Sequence, residues 1–269
     1  MPSTAAATIP VALAPNRPDT LVFWWRHIQV PLACFVVLAA VFATSSLDVN
    51  IAHAFFDSAS ERWIGADNWW VTGFIHHGGQ WFLRGIVAVA AVTYAMTFFK
   101  DRLRYLRRPS AFIAVSLILS IGIVGLLKTV TNVHCPWSLT EFGGDMPYLH
   151  LFTARPQSMT HGHCFPAAHS SSGYALIAFY FLFRERNQRL ARIGFIAAVI
   201  TGLVFGIAQQ SRGAHFVSHD IWSAFLVWLI SLSVYAFAFK ARLWDAPGEE
   251  TIVHGTNSLP YKAASAELP

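Results

Sequence analysis

The chain has 269 residues, of which 55% are hydrophobic and only 12% are charged. Soluble globular domains carry about 25% charged residues, so this composition excludes an ordinary soluble enzyme and indicates a membrane protein. The net charge of +5 is modest, and its distribution along the chain indicates membrane topology rather than binding to nucleic acid.

Six apolar runs with few or no charges follow one another along the chain. A helix needs about 20 mostly apolar residues to cross the hydrocarbon core of a membrane, and most of the runs approach that length. The six runs are Ile28–Leu47, Trp81–Phe99, Ser110–Leu127, Phe165–Phe183, Ile193–Ala208 and Phe216–Phe239. We therefore predict an all-α polytopic membrane protein, a bundle of six transmembrane helices with loops or interfacial helices on its outer face.

The six runs define one predicted membrane domain, residues 28–240, because we find no internal repeat that would divide them. The flanking segments, 1–27 and 241–269, are rich in Ala, Pro and Ser. Such a composition buries too little apolar surface to fold, so we expect two disordered cytoplasmic tails. The first apolar run is too long for a cleaved signal peptide.

The basic residues set the predicted orientation of the domain. Most of the 19 Lys and Arg residues fall in segments on the same side as the amino terminus, and cytoplasmic loops are enriched in these residues. Both termini are therefore predicted to be cytoplasmic. In a bacterial inner membrane, the loops after the first, third and fifth runs then face the periplasm.

Cationic residues and histidines collect on this outer side in three short stretches. The stretches are KTVTNVHCPW (128–137), CFPAAHSS (164–171) and SRGAHFVSHD (211–220). A single histidine at an interface usually only snorkels toward water, but ionisable residues at the ends of spans mark functional sites when they cluster. We expect the three stretches to converge on one pocket.

The residue types in these stretches fit phosphate chemistry. Pro166 is well placed to begin a helix, and the first amides of a helix favour an anion. Those amides belong to Ala167, Ala168 and His169. Arg212 can hold phosphate oxygens with two hydrogen bonds, and Lys128 adds a point charge. Two histidines complete the set, because one can attack phosphorus while the other protonates the leaving oxygen.

The three stretches resemble the signature of the type 2 phosphatidic acid phosphatases (PAP2), membrane relatives of the vanadium haloperoxidases. That signature is K-x6-R-P, then P-S-G-H, then S-R-x5-H-x3-D, and the resemblance covers about residues 128–223. It implies a metal-independent phosphatase without a cofactor. In that family the last histidine forms a phosphohistidine and the second-motif histidine, here His169, is the acid for the leaving group.

The first motif departs from the family at one position, because Cys135 stands where the family has Arg. This leaves the phosphate short of one cation. Arg155 and Arg84 are the candidates on the outer side to supply it, and His134 is a candidate to line the mouth of the pocket.

The second motif also departs from the family, because Ala167 and Ala168 replace Ser and Gly. The backbone donors survive this change, and one hydroxyl group is lost. Ser170 or Ser171 is the candidate to replace that hydroxyl in the phosphate-binding set.

The third motif aligns with the family in two registers. Aligning GAHFVS makes His215 the nucleophile, with Gln209 at the position of the family's Arg and His219 at that of its Asp. Aligning on the Ser-Arg pair puts Ser218 at the nucleophile position, which is a poor match. We therefore prefer His215.

Helix geometry addresses which residue orients His215. At about 100° per residue, Arg212, His215 and His219 share one face if the helix already includes Arg212. His219 is then the expected neighbour of His215. Asp220 stays a second candidate if the helix begins later.

Cys135 and Cys164 flank the first two motifs on the oxidising side, whereas Cys34 lies inside the first run. A disulfide between Cys135 and Cys164 would tie the two phosphate loops together, and free thiols are the alternative. A third interpretation makes His161, His163 and Cys164 a zinc site. No second ligand pair has metal-like spacing, so we expect no metal.

The leading functional hypothesis is a periplasm-facing phosphatase that acts on a lipid phosphate in the outer leaflet. The candidate substrates are phosphatidic acid, phosphatidylglycerol phosphate, undecaprenyl pyrophosphate and lipid A phosphates. A lipid phosphotransferase of the same mechanism and a non-catalytic phospholipid-binding membrane protein are the alternatives. The sequence makes no prediction of oligomeric state.

Overall fold

The computed structural model describes residues 20–156 and 158–239, and this part of the chain is mostly helical. Its helices are α1 (Thr20–Trp24), α2 (Val30–Thr44), α3 (Leu47–His53), α4 (Gly79–Met96), α5 (Arg107–Val130), α6 (Ala168–Tyr174), α7 (Ala178–Phe183), α8 (Gln188–Ser211) and α9 (Val217–Val234). Two short strands, β1 (Phe56–Asp57) and β2 (Arg62–Trp63), pair antiparallel. π-helical segments occupy Trp25–Gln29, Trp70–Gly78 and Tyr235–Phe239, and short 3-10 turns connect several of the other helices.

Four helices in the described ranges are long and apolar enough to cross a membrane. They are Leu21–Thr44, Asp101–Val130, Gln188–Ser211 and Val217–Phe237. The two other predicted spans fall on shorter or more polar elements: α4 carries Gln80 and Arg84 near its start, and a 3-10 turn at Ala175–Ile177 separates α6 from α7. A mostly helical architecture with four candidate membrane-spanning helices is confirmed, whereas the count of six spans stays a prediction.

The first long helix begins earlier than the predicted domain boundary at residue 28. It starts at Thr20, and its Phe23 and His27 side chains are buried. Phe23 packs in the same core cluster as Phe112 and Tyr235, so residues 20–27 belong to the helical bundle rather than to a tail. The remainder of both predicted tails, 1–19 and 241–269, lies outside the described residues.

Glycines bring α6 and α8 into close contact. A Cβ atom added at Gly173 would lie 2.6 Å from the backbone nitrogen of Gly202, and one added at Gly202 would lie 2.2 Å from the ring of Tyr174. Small residues allow such approach between membrane helices. The contact packs the last turn of α6 against the middle of α8, and α6 and the end of α8 carry residues of the second and third motifs.

A buried carboxylate in α3 caps the amino terminus of α9. Asp48 is 4% exposed, and its Oδ1 accepts a hydrogen bond of 3.0 Å from the backbone N–H of Ser218. The Ser218 hydroxyl donates to the other carboxylate oxygen. Burial raises the pKa of Asp48, while the Ser218 hydrogen bonds lower it in part. This cap sets where α9, and with it the third motif, begins.

Two substitutions of Asp48 should distinguish the effect of its hydrogen bonds to Ser218 from the effect of its titratable carboxyl group. Asp48→Ala should cost about 0.5–2 kcal/mol, which is typical for loss of a helix cap, and lower the melting temperature in detergent. Asp48→Asn keeps an acceptor for Ser218 and should be tolerated. A carboxyl whose pKa is raised on folding stabilises the protein most below its unfolded pKa, and this stability is lost as pH rises through the folded pKa.

Thermal unfolding of the wild type and the two variants, measured across mildly acidic pH, tests both the role of the cap and the raised pKa of Asp48. The wild-type melting temperature should fall more steeply with rising pH in this range than that of Asp48→Asn. An equal pH dependence for the two proteins would contradict the assignment of a raised pKa to Asp48.

Candidate active site

A cavity of about 680 Å³ opens where α5 and α8 end and where α6 and α9 begin. All three motifs contribute to its wall. The lining residues used below are Gln80, Lys128, His134, Cys135, Trp137, His161, His163, Cys164, Ala168, His169, Gln209, Arg212 and His215. The helix ends meet at one level of the bundle, so residues far apart in the sequence face the same space.

Four residues predicted to act on phosphate share this cavity. Lys128 lies in the last turn of α5, His169 in the first turn of α6, and Arg212 directly after α8. His215 lies in the connection between α8 and α9. The cavity thus joins two cationic side chains and two imidazoles, which is a suitable environment for a phosphate group.

The helical-face argument for the third motif is wrong in its premise. Helix α8 ends at Ser211 and α9 begins at Val217, so Arg212 and His215 belong to a turn. Gly213 in this turn has φ +69°, a left-handed conformation that favours glycine, and a Cβ there would lie 2.2 Å from the Trp63 ring. The turn, rather than one helix face, brings Arg212 and His215 to the cavity.

His215 is buried at the cavity wall beside His219. The Nδ1 atoms of the two rings lie 3.5 Å apart. Burial holds the pKa of His215 well below its ordinary value, and the nearby His219 and Lys128 lower it further. His215 is therefore neutral near pH 7, and a neutral imidazole has the lone pair that a nucleophile needs.

Asp220 does not face His215. Its Oδ2 accepts a hydrogen bond of 2.5 Å from Gln210, and the same oxygen lies 2.5 Å from where a Cβ at Gly206 would be. The carboxylate is thus turned toward α8. Of the two sequence candidates, His219 is the one that lies next to His215.

His169 has a neighbour that the motif analysis missed. The side-chain Nε2 of Gln80 lies 3.3 Å from Nε2 of His169, at the start of α4. Nothing in the sequence links the two residues, because 89 positions separate them and Gln80 belongs to no motif. The position of Gln80, a polar residue directly before the apolar run Trp81–Phe99, was the one sequence feature that could have indicated a role at the site.

Arg212 is held in the cavity by Gln209. The guanidinium NH1 donates to the Gln209 side-chain oxygen at 3.2 Å, and Gln209 is 3% exposed. Partial burial lowers the pKa of Arg212 from its ordinary value, but a guanidinium is not deprotonated in proteins, so Arg212 stays charged. Gln209, which aligns with the Arg of the family's third motif, thus orients Arg212, which lies about one helical turn later in the chain.

The second motif contributes less of its chain to the cavity than expected. Ala168 and His169 line it, whereas Ala167 and Ser170 do not. Both are fully buried. The Ala167 carbonyl accepts from the Ser223 hydroxyl at 3.0 Å, so this side of α6 packs against α9. Ser170 is therefore no substitute for the lost phosphate-facing hydroxyl.

The predicted substitutes for the first-motif Arg lie elsewhere. Arg84 is exposed and stacks over the Trp81 ring at 5.0 Å. Arg155 lines a separate cavity of about 40 Å³, together with Asp48 and His219. His134 lines both cavities. Neither Arg84 nor Arg155 lines the large cavity, whereas His134, His161 and His163 do.

The structure joins Cys135 and Cys164 in a disulfide with their Cα atoms 5.1 Å apart. The sulfur of Cys164 is thus not a free thiolate. The His161 and His163 rings lie 4.6 Å apart, but the described residues hold no group of three His, Cys, Asp or Glu side chains arranged to bind a metal ion. These observations disfavour the zinc interpretation of HGHC.

Comparison with known proteins agrees with this site. A family model described as the PAP2 superfamily matches residues 109–243, just over half of the chain. The chain is 28% identical over 228 residues to a lipid A 4'-phosphatase of Francisella tularensis subsp. novicida (strain U112), an alignment that covers 80% of this chain and 97% of that protein. No solved structure shows significant similarity to this chain.

These matches argue against the non-catalytic alternative and indicate a membrane-associated lipid phosphatase, which is a phosphoric-ester hydrolase. The matched segment contains all three motifs and every helix from α6 to α9. The chain therefore belongs to the PAP2 superfamily.

Proposed function

We propose that the protein hydrolyses a phosphate ester of a membrane lipid without a metal, through a phosphohistidine on His215. The observation that supports this most strongly is the single cavity lined by Lys128, His169, Arg212 and His215. The two cations offset the charge of the phosphate, and the two imidazoles lie on its wall as nucleophile and acid.

The reaction takes place in two steps. In the first, a nitrogen of His215 attacks phosphorus, the bond to the lipid oxygen breaks, and His169 gives its proton to that oxygen. In the second, neutral His169 takes a proton from a water molecule, which attacks the phosphohistidine and releases inorganic phosphate. Lys128 and Arg212 stabilise the charge on the phosphoryl oxygens in both steps.

The substrate that we propose is a phosphomonoester on a large polar headgroup, of the lipid A type. The cavity of about 680 Å³ lies within the ~300–1,000 Å³ range of ordinary ligand pockets, so it has room for more than one phosphate group. Trp137, which is 46% exposed, lines it and offers a flat surface to such a headgroup. The similarity to a lipid A 4'-phosphatase points to the same class.

We further propose the six-span arrangement in a bacterial inner membrane, with both termini cytoplasmic and the cavity facing the periplasm. The four long helices would be joined by α4 and by the α6–α7 pair as the shorter spans. The basic residues at the ends opposite the cavity support this orientation, since Lys and Arg are enriched in cytoplasmic loops. Labelling of single added cysteines from outside intact spheroplasts would test it: residue 58 should react and residue 186 should not.

Phosphate release from a panel of lipids tests the proposed function. The purified protein in detergent is given a lipid A phosphomonoester, phosphatidic acid, phosphatidylglycerol phosphate and undecaprenyl pyrophosphate, each with and without EDTA. We expect the highest turnover on the lipid A phosphomonoester and no effect of EDTA. An acceptor lipid added to the same assay detects phosphotransfer. Absence of phosphate release from every lipid would refute the proposal.

Arg212 should contribute to substrate binding through its paired hydrogen-bond donors. Arg212→Ala should lower kcat/KM by about 10- to 100-fold, because a hydrogen bond to a charged group contributes about 1.5–3 kcal/mol. Arg212→Lys keeps the charge without the planar fork and should recover only part of this loss.

Arg62→Ala is the matched control for charge removal, because Arg62 forms a salt bridge of 3.2 Å with Asp67 and its side chain is 71% exposed. It should behave as the wild type. Full activity of Arg212→Ala would exclude Arg212 from the phosphate site.

A further inference from the structure

We propose that Trp63, which lies in the β1–β2 hairpin and outside all three motifs, is a positioning residue for catalysis. Its ring supports the turn at Gly213 that brings Arg212 and His215 to the cavity. This inference rests on the proposed function of His215 and deepens it, because it gives a hairpin far away in the sequence a part in holding the phosphate site.

The catalytic turn, residues 212–216, connects the end of α8 to the start of α9. Its first three N–H groups donate to carbonyls in the last turn of α8, at 2.9–3.3 Å. These hydrogen bonds continue the end of the helix and tie the turn to α8 alone. The position of the turn over the cavity therefore depends on contacts from other parts of the chain.

Two main-chain hydrogen bonds from distant segments hold the start of the catalytic turn. The Gly65 N–H, just after the hairpin, donates to the Ser211 carbonyl at 2.9 Å. A Cβ atom at Gly65 would lie 3.0 Å from the Ser211 carbonyl carbon, so the two backbones are in close contact. The Trp137 N–H donates to the Gly213 carbonyl at 2.9 Å. The hairpin and the first motif thus meet at the same turn.

The Trp63 ring fills the space beside Gly213. The three atoms nearest to a Cβ at this position all belong to the indole, and the indole is buried, with Trp63 9% exposed. A residue with a Cβ atom would overlap the ring, and the φ of +69° at Gly213 separately favours glycine. The backbone of the catalytic turn therefore lies directly against the indole.

The aromatic cluster that holds Trp63 also receives the other end of the catalytic turn. The ring centroids of Trp63 and Phe142 lie 4.9 Å apart. Phe216, which is 4% exposed, packs in the same buried cluster. Because Gly213 precedes His215 and Phe216 follows it, the chain is supported by this cluster on both sides of the nucleophile.

Loss of the indole should displace the catalytic turn without unfolding the helical bundle. The aromatic cluster is separate from the larger core of the bundle, which includes Phe112 and Tyr235. A smaller side chain at position 63 leaves space into which the turn can relax. A shift of about 1 Å at a reacting group costs up to about 100-fold in rate. Turnover and phosphate affinity should both fall, because Arg212 and His215 move together.

Trp63→Leu in the full-length protein tests the inference. We expect kcat on the best lipid of the panel to fall by about 10- to 100-fold, and the inhibition constant of inorganic phosphate to rise. Phe112→Leu is the matched control, because Phe112 is fully buried in the core of the bundle. It should lower the melting temperature and leave both constants unchanged. Trp63→Phe keeps a smaller ring, should show an intermediate loss, and decides if Trp63→Leu does not fold.

A double-mutant cycle tests the contact between the indole and Gly213. Gly213→Ala places a methyl group against the ring and should lower kcat at least as much as Trp63→Leu. In Trp63→Leu/Gly213→Ala the shorter side chain leaves room for the methyl group, so the two losses should not multiply. The kcat of the double variant should be no lower than that of Gly213→Ala. The strain of an alanine with positive φ is present in both proteins and cancels in this comparison.

The outcomes separate this inference from the proposed function. If Trp63→Leu and Trp63→Phe lower only the melting temperature, as Phe112→Leu does, the positioning role is refuted while the phosphatase proposal stands. If the two losses multiply in the double variant, the turn does not depend on the indole and the inference also fails. If the wild type hydrolyses no lipid phosphate, the proposed function fails, and calorimetric binding of inorganic phosphate decides the inference. Equal affinity of the wild type and Trp63→Leu, or no binding by either, then refutes it.

Discussion

His215→Ala is expected to lower phosphate release by about 10³-fold or more, the scale seen when a covalent nucleophile is removed. The reason is that the variant lacks the nitrogen that receives the phosphoryl group, while Lys128 and Arg212 still bind the substrate. KM should therefore change much less than kcat. The measurement is steady-state phosphate release from the best lipid of the panel, together with trapping of the phosphoenzyme by alkaline quench after millisecond mixing.

The wild-type protein should yield an acid-labile, alkali-stable phosphoenzyme, and His215→Ala should yield none. His53→Ala is a suitable control, because His53 is exposed on α3 and its ring packs on Phe142 at 4.8 Å, away from the cavity. A phosphoenzyme that persists in His215→Ala would transfer the role of nucleophile to another residue. His219 would then be the first to examine, since it is the nearest imidazole.

His169→Gln is expected to lose more activity on a substrate whose leaving group must be protonated than on one whose leaving group departs as a stable anion. A general acid contributes about 10²–10⁴-fold, and a lipid alkoxide needs the full contribution. A nitrophenolate leaves without a proton, so hydrolysis of a nitrophenyl phosphate should be impaired far less. The measurement is the ratio of kcat/KM for the two substrates in wild-type and variant protein.

The pattern of losses in His169→Gln distinguishes acid catalysis from binding. An equal loss on both substrates would mean that His169 holds the phosphate rather than protonating the leaving oxygen. Gln80→Ala provides a comparison, because the Gln80 side chain lies 3.3 Å from His169 and can orient its ring. Its loss should follow the same leaving-group dependence at a smaller magnitude, about two- to tenfold for one neutral hydrogen bond.

Much of the architecture could be predicted from the sequence because membrane helices are locally determined. In lipid, every backbone polar group must be satisfied within its own segment, so the apolar runs that begin at Ile28, Ser110, Ile193 and Phe216 coincide with the four long helices. The two other runs were harder to judge, since Gln80, Arg84 and the 3-10 turn at Ala175–Ile177 interrupt their apolar or helical character.

The candidate site was predictable as far as it depends on spacing within a motif. Lys128, His169, Arg212 and His215 were chosen because cations and imidazoles recur at the ends of three spans, and the structure gathers them around one cavity. The arrangement within the third motif was not predictable in this way. A turn containing Gly213, rather than one helix face, carries Arg212 and His215.

The sequence by itself determined the membrane character, the position of the long helices and the residue types of the site, because hydrophobicity and charge are properties of local segments. The tertiary structure alone decided which groups surround them: Gln80 lies beside His169, and Asp48 caps α9. Contacts across 89 or 170 positions depend on how the helices pack.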